Sequence, residues 1–339
     1  MADKVPTLMI PAGEVQETFT NILLRYGLSR DGAEKCAAVF TESSVDGIYT
    51  HGVNRFPRFI KYVKEGYVKV NALPSLENSF GGIQQWNGNL GPGILNALHV
   101  TDTVMSLASQ HGIGCVALRN TNHWMRGGSY GWKAAKAGFV FIAWTNTIAN
   151  MPAWGATDAK LGNNPLVIAL PKNDEAIVLD MAMSQFSYGS LELAAMKNEL
   201  LPVQGGFDID GNLTNDPNEI ISSQRPLPLG YWKGAGLSLL LDLLATVLSG
   251  GLSTFELSKK EIEYGLSQVF IAIDLSKLNH LSAITKTVNA IIADYQKSMP
   301  EEETKRIVYP GERVLQTREK NLAKGIPVLK KVWDEILQL

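Results

Sequence analysis

The sequence predicts an α+β fold, with a β-rich central segment packed on a helical domain built from both ends of the chain. Three observations lead there. Apolar residues recur at helical spacing through the first third of the chain and again at its end. Short runs of β-branched and aromatic residues gather in the middle. The glycine pattern that opens a parallel dinucleotide-binding unit is misplaced: Gly112-Ile-Gly-Cys-Val-Ala117 precedes an apolar run instead of following one, so it reads as a turn.

The elements follow in order. Val15 to Tyr26 has helical periodicity, and Gly27 stops it. Ser29 opens a second helix that runs to about Val45. A third is expected from near Val53 to Gly66, with Pro57 tolerated in its first turn. That places His51 at the mouth of this helix and Arg55 one turn in. Residues 67–90 are turn formers and short apolar runs, and Gly91 to Gln110 reads as a helix. Strands are expected at 114–118, 139–144, 165–170, 176–179 and 269–273, with a long apolar helix at Leu237 to Leu248. Helical segments around 281–297 and 313–337 close the chain. The expected domains are residues 1–118 with 314–339 on the helical, substrate side, and 119–313 around the sheet.

Composition excludes several classes. Apolar residues make up 45% and charged residues 19% of 339, which is too apolar for disorder. A net charge of −2 speaks against a general polyanion binder, so no nucleic-acid partner is expected. Cys36 and Cys115 sit in apolar stretches and read as reduced core thiols. The most apolar stretch, Gly236 to Leu248, contains Asp242 and falls short of the roughly 18 residues of a membrane span. With no secretory pattern at Met-Ala-Asp-Lys-Val-Pro, a cytoplasmic protein without a membrane partner is expected.

Four segments carry chemistry. His51 and Arg55 lie four apart, so they can share a helix face. An arginine fork matches a carboxylate, and a histidine moves a proton to or from a carbonyl oxygen. The pair suits a 2-oxo acid, although such spacing also describes a loop histidine beside a surface ion pair. Asn120 to Tyr130 groups His123, Arg126, Trp124 and Tyr130 after a strand. No metal is expected there, because His123 lacks a partner at ligand spacing, and it can equally be a structural, hydrogen-bonded histidine. Gly230-Tyr-Trp-Lys-Gly-Ala-Gly236 opens the apolar helix and offers backbone N–H groups and Lys233 to a phosphate. The same residues also describe a plain glycine-rich turn with Lys233 in solvent. No hydrolase elbow of the form Gly-x-Ser-x-Gly is present, and His99, His111 and His280 read as surface residues.

At these segments the chain resembles the type 2 malate/L-lactate dehydrogenase family over nearly its whole length. The stretches that carry the resemblance are Tyr49-Thr-His-Gly-Val-Asn-Arg-Phe-Pro-Arg-Phe59, Asn120 to Gly131, Trp154-Gly-Ala156, Gly162-Asn-Asn-Pro165, Leu179-Asp-Met-Ala-Met-Ser184, Phe186-Ser-Tyr-Gly189, Leu201-Pro-Val203 and Gly230 to Gly236. Trp-Met-Arg-Gly-Gly-Ser-Tyr-Gly and Tyr-Trp-Lys-Gly point within it to a branch that reduces a diketo sugar acid. The resemblance implies a non-Rossmann fold in which a largely antiparallel sheet domain binds NAD(P), with NADH the expected reductant although Arg313 and Glu312 leave NAD or NADP open, and a homodimer whose sites the partner chain can complete. It places the proton donor on His51, acting in its cationic form. Arg55 then pairs with the acid group, and His123 lines the same cleft. It places cofactor contacts on Ala176, Ile177, Val178, Leu179, Asp180, Met181 and Ala182, on Trp232 and Lys233, and on Gly311, Glu312 and Arg313. Two departures stand out: Met183 and Asn163 occupy positions where many members carry threonine. Malate, L-lactate, ureidoglycolate or an imino acid remain alternative substrates, and a non-catalytic dinucleotide-binding protein is the alternative of another class.

Overall fold

The computed structural model describes residues 6–279, 281–302 and 304–339. Its elements begin with β1 (Thr7–Ile10), α1 (Ala12–Arg25), α2 (Arg30–Val45), α3 (Phe56–Lys64), β2 (Ser75–Phe80), β3 (Ile83–Asn87) and α4 (Gly93–His111). Next come β4 (Ile113–Thr121), α5 (Gly127–Lys136), β5 (Phe139–Thr145), β6 (Met151–Pro152), β7 (Ala159–Leu161), β8 (Leu166–Lys172) and β9 (Glu175–Met181). They continue with α6 (Tyr188–Lys197), β10 (Gly206–Phe207), β11 (Leu213–Thr214), α7 (Pro217–Ser223), α8 (Trp232–Ser249) and α9 (Thr254–Leu257). The last are β12 (Leu266–Asp274), α10 (Leu281–Tyr295), α11 (Glu312–Lys324), β13 (Ile326–Leu329) and α12 (Lys330–Leu337).

Seven strands form the central sheet in the order β2-β3-β4-β12-β5-β8-β9. Five of its six neighbouring pairs are antiparallel, and β3 with β4 is parallel. Alternate side chains of a strand face opposite sides. Val116, Leu118, Phe141, Ala143, Phe270 and Ala272 therefore pack under α4 and α5. Ala117, Trp144 and Val269 pack under α8 on the other side. A separate core joins the two ends of the chain: α1, α2 and α3 close on β13 and α12. At its centre Phe19 stacks on Phe56 at 3.9 Å, and Phe40 meets both edge-on.

Local signals set several boundaries. Ser29 caps α2 by accepting from the Gly32 N–H at 3.2 Å, Pro57 falls in the first turn of α3, and Gly27 leaves α1 at φ 87°. Gly112 turns α4 into β4 at φ 84°, so these glycines precede the strand, as the sequence suggested.

Three expectations are corrected. Residues 67–90 hold the hairpin β2–β3, which extends the sheet beside β4. The expected helix at 313–337 is two helices: Gly325, at φ 89°, breaks it, and β13 pairs antiparallel with β1. The apolar helix α8 is longer than expected, and by length and composition it could cross a membrane. One face of it is packed within the fold. Trp144 donates to the Leu241 carbonyl at 3.0 Å, and Asp242 accepts from Asn146 Nδ2 at 2.9 Å and from the Thr254 N–H at 2.8 Å. The surface expectation for His280 falls outside the described residues. His99 and His111 are exposed, as expected, and His99 stands edge-on to Trp86.

Candidate active site

His51 does not sit on the helix that follows it. It ends a short 3-10 turn, Tyr49–His51, and Arg55 is the residue that precedes α3. The two are therefore not on one helix face, as their spacing suggested. Gly52 is the reason. Its backbone runs so close to α2 that a Cβ would lie 2.0 Å from Ser44 Oγ and 2.9 Å from the Phe40 carbonyl. Ser44 Oγ completes the anchor: it donates to Phe40 O at 2.9 Å and accepts from the Val53 N–H at 2.9 Å. This close approach interrupts the helix and fixes the imidazole that precedes it.

Two histidines meet in the cleft. The rings of His51 and His123 stack with centroids 5.7 Å apart. His123 Nδ1 accepts the Met125 N–H at 2.9 Å, so its proton sits on Nε2. Met125 adopts φ 63° to aim that N–H, a left-handed conformation uncommon for such a side chain. Burial first, then Arg55 and His51, holds His123 well below the ordinary histidine range. It is a fixed, neutral donor. His51 is arranged differently. Thr50 Oγ1 lies 3.1 Å from its Nδ1, and a hydroxyl can donate or accept there, so either protonation state of His51 is satisfied. Nothing in this contact ties His51 to one tautomer, which leaves its Nε2 able to carry or give up a proton. Burial, then Arg55 and Arg126, pushes its pKa down to about 3, so in the free enzyme it is neutral at pH 7. Negative charge brought beside the two guanidiniums would favour the expected cation.

Arg55 is the foremost charged neighbour of both imidazoles. Among the described residues its guanidinium has no ion-pair partner within 4.0 Å. Burial and Arg58 depress it, and Glu263, itself pushed up by burial, acts in the opposite sense. An unpaired arginine fork has the geometry to take a carboxylate.

A cavity of about 480 Å³ opens in front of the pair. Its lining includes His51, His123, Met125, Arg126, Thr147, Asn163, Pro165, Val178, Leu179, Asp180, Ala182 and Gly311, but not Arg55. Gly127 and Gly128 bring the start of α5 onto this wall: a Cβ at Gly127 would lie 2.7 Å from Val167, and one at Gly128 would lie 2.9 Å from Asp180 Oδ2. Asp180 Oδ2 accepts the Gly128 N–H at 2.7 Å, which suits a carboxylate at a helix N-terminus. Asp180 is open to solvent yet ringed by protein atoms, and this crowding raises its pKa. Its other oxygen has no hydrogen-bond partner among the described residues. A flat apolar wall with one free carboxylate oxygen and the amide of Asn163 fits a nicotinamide and its ribose.

The remaining residues expected at the cofactor lie in three places. Ala176 is core, and Ile177 and Met181 lie on β9 outside the cavity lining. Gly311 lines the cavity, and the carbonyl of Pro310 accepts the Val178 N–H at 3.1 Å. Glu312 is buried, and its carboxylate is taken up by Arg306, Gln296 and the Tyr309 N–H, while Arg313 is exposed. Trp232 and Lys233 are exposed at the start of α8, after Tyr231 at φ 62°, and are outside this cavity.

The structure adds residues that sequence reasoning left out. Asp46, at the end of α2, accepts from Arg126 and from both Nε and NH2 of Arg318, at 2.7 and 2.8 Å. Their separation along the chain leaves no local pattern to find, although Arg126 lay within a segment already dense in chemistry. Asn164, from the Gly162-Asn-Asn-Pro stretch, is fully buried. It ties α8 to the cavity wall by donating to Ser238 O at 2.9 Å and accepting from the Thr147 N–H at 3.0 Å.

Known proteins align with this chain end to end. The family model described as malate/L-lactate dehydrogenase matches residues 10–337. The chain is 44% identical over 333 residues to a 2,3-diketo-L-gulonate reductase of Klebsiella pneumoniae (strain 342), covering 98% of this chain and 100% of that one. It is 44% identical over 329 residues to the protein of the same name from Escherichia coli O6:K15:H31 (strain 536), covering 96% and 98%. Among solved structures, malate dehydrogenase from Pyrococcus horikoshii OT3 superposes with a TM-score of 0.89 at 26% identity, covering 98% and 95%. Malate dehydrogenase from Entamoeba histolytica shares the fold with a TM-score of 0.93 at 23% identity, covering 98% and 97%. With its antiparallel sheet and paired histidines, the chain is an oxidoreductase that belongs to the malate/L-lactate dehydrogenase family.

Proposed function

We propose that this enzyme reduces 2,3-diketo-L-gulonate to 3-keto-L-gulonate, with NADH as reductant. One observation carries the reading: two stacked imidazoles with opposite roles, one fixed and one free to exchange a proton, beside the unpaired fork of Arg55. The end-to-end likeness to reductases of that name supports the substrate. The nicotinamide, when bound, supplies the hydride to C2. The chain's own residues do the rest. Arg55 takes the C1 carboxylate, and its positive charge is thereby offset. His51 then becomes easier to protonate and gives its Nε2 proton to the C2 oxygen as charge develops there. His123 donates from Nε2 and orients the same carbonyl. Val178, Leu179, Asp180, Ala182 and Gly311 form the cofactor wall, within the segment 119–313. The segments 1–118 and 314–339 supply His51 and Arg55 on the substrate side.

The test is a panel of oxo acids followed by loss of NADH absorbance, repeated with NADPH. The diketo acid is expected to exceed oxaloacetate, pyruvate and cyclic imino acids in kcat/KM by at least about tenfold. Preference for one of those identifies another activity of the family. A flat trace with all of them identifies a binding protein instead.

We also propose a cytoplasmic homodimer joined through α8. The outer face of α8 carries Leu240, Leu243, Leu244 and Val247, all exposed at helical spacing, with Val247 73% exposed. So large an apolar stripe on a water-soluble helix fits a second copy of the chain. Trp232 and Lys233 begin the same helix, so the dimer is the route by which they reach a cofactor on the partner. Val247→Glu with Leu243→Glu is expected to halve the mass measured by light scattering; an unchanged dimer mass contradicts the interface.

A further inference from the structure

We propose that Arg126 is the substrate-selecting cation of the site, donating to an oxygen on C3 of the acid, the carbon next to the one reduced. This rests on the 2-oxo acid reading above and says which 2-oxo acids the site takes.

Arg126 lines the same cavity as His51 and His123. It is only 4% exposed and sits at the start of α5. One N–H is committed to Asp46, and Asp46 is held in turn by the bidentate fork of Arg318. The guanidinium is therefore rigid. Among the described residues its other N–H groups have no acceptor. Asp180 lies close but is not paired with it: Asp180 Oδ2 is engaged by the Gly128 N–H. A desolvated guanidinium with idle donors facing a cavity calls for an acceptor from a ligand.

The order of groups indicates which acceptor. Arg55 and Arg126 are the two cations that act on His51, and only Arg126 is in the cavity. A 2-oxo acid has its carboxylate on one side of the reacting carbonyl and C3 on the other. With C1 on Arg55, outside the cavity lining, and the C2 oxygen at His51, the rest of the acid from C3 onward extends into the cavity that Arg126 lines. A keto or hydroxyl oxygen there accepts from the guanidinium. A methylene there leaves the idle N–H donors of a buried guanidinium without an acceptor, and a site built to bond an oxygen rejects an analogue that lacks it.

The experiment compares 2,3-diketo-L-gulonate with 2-keto-3-deoxygluconate, an acid of equal length with a methylene at C3. The wild type, Arg126→Lys and Arg126→Met are each assayed for kcat and KM with NADH. Asp46 keeps Arg318 in both variants, and circular dichroism with NADH fluorescence titration checks fold and cofactor binding. The wild type is expected to prefer the 3-oxygenated acid by roughly 10²-fold or more in kcat/KM, and Arg126→Met to reduce that preference to under about tenfold. Arg126→Lys keeps charge without the fork and should fall between them. An equal loss on both acids assigns Arg126 a structural role and overturns the proposal. A weakening of NADH binding by more than about tenfold assigns it to the cofactor and also overturns it. If the wild type turns over neither acid, the functional reading itself falls, and this inference with it.

Discussion

Replacing His51 with Asn is expected to lower turnover by roughly 10²–10⁴, with nicotinamide affinity changed by less than about threefold. Asparagine keeps a polar group of similar reach, so the cleft is not emptied. It can hydrogen-bond the C2 oxygen but has no proton to give at neutral pH. Gly52 and Ser44 hold the backbone of residue 51 independently of its side chain. His123 cannot take over the role. Its Nδ1 is occupied by the Met125 N–H, and loss of its Nε2 proton would leave an imidazolate. NADH fluorescence titration and steady-state rates measure the two parts separately. Turnover within tenfold of the wild type in a folded His51→Asn protein would remove His51 from the role of acid.

The second large effect is on stability. Asp46→Ala is expected to lower the unfolding free energy by about 3–5 kcal/mol, read as a shift in the urea midpoint at unchanged slope. Asp46 is buried at the end of α2 and is bonded to two guanidiniums, from α11 and from the start of α5. Removing the carboxylate strands Arg126 as an uncompensated buried charge, the costly way to break an ion pair. Part of the joint remains, because Asn321 Nδ2 still donates to the Val45 carbonyl at 2.9 Å. A midpoint shift equivalent to less than about 1 kcal/mol would show that the network is only a surface-like pair.

The helices at both ends were legible because each declares itself locally. Periodicity, the Ser29 cap, Pro57 and Gly27 are all read within a few residues. The hairpin β2–β3 was not legible, because Ser75 to Phe80 is exposed throughout and shows no apolar alternation. Nor was β13. Its partner β1 lies at the other end of the chain, and the helical pattern around it masked the break at Gly325. At the site, the motif around His51 was readable through its family resemblance, and the positions of Val178 to Asp180 and Gly311 on one wall support that reading. The protonation state of His51 was not readable. It depends on burial, then on Arg55 and on Arg126, and Arg126 reaches His51 only through the fold. The same holds for His123, whose tautomer is set by one backbone N–H in a strained turn.

The central claim is that a neutral, depressed His51 must gain a proton before it can give one to the substrate. The pH profile of kcat/KM, run in both directions from about pH 5 to 9, tests it most directly. Reduction needs the protonated free enzyme. Above a pKa of about 3 that fraction falls as pH rises. Reduction is therefore expected to drop about tenfold per pH unit without a plateau, while oxidation of the hydroxy acid, which needs neutral His51, stays flat over the same range. A reduction profile that levels off below about pH 6.5, the ordinary histidine value, would contradict the account.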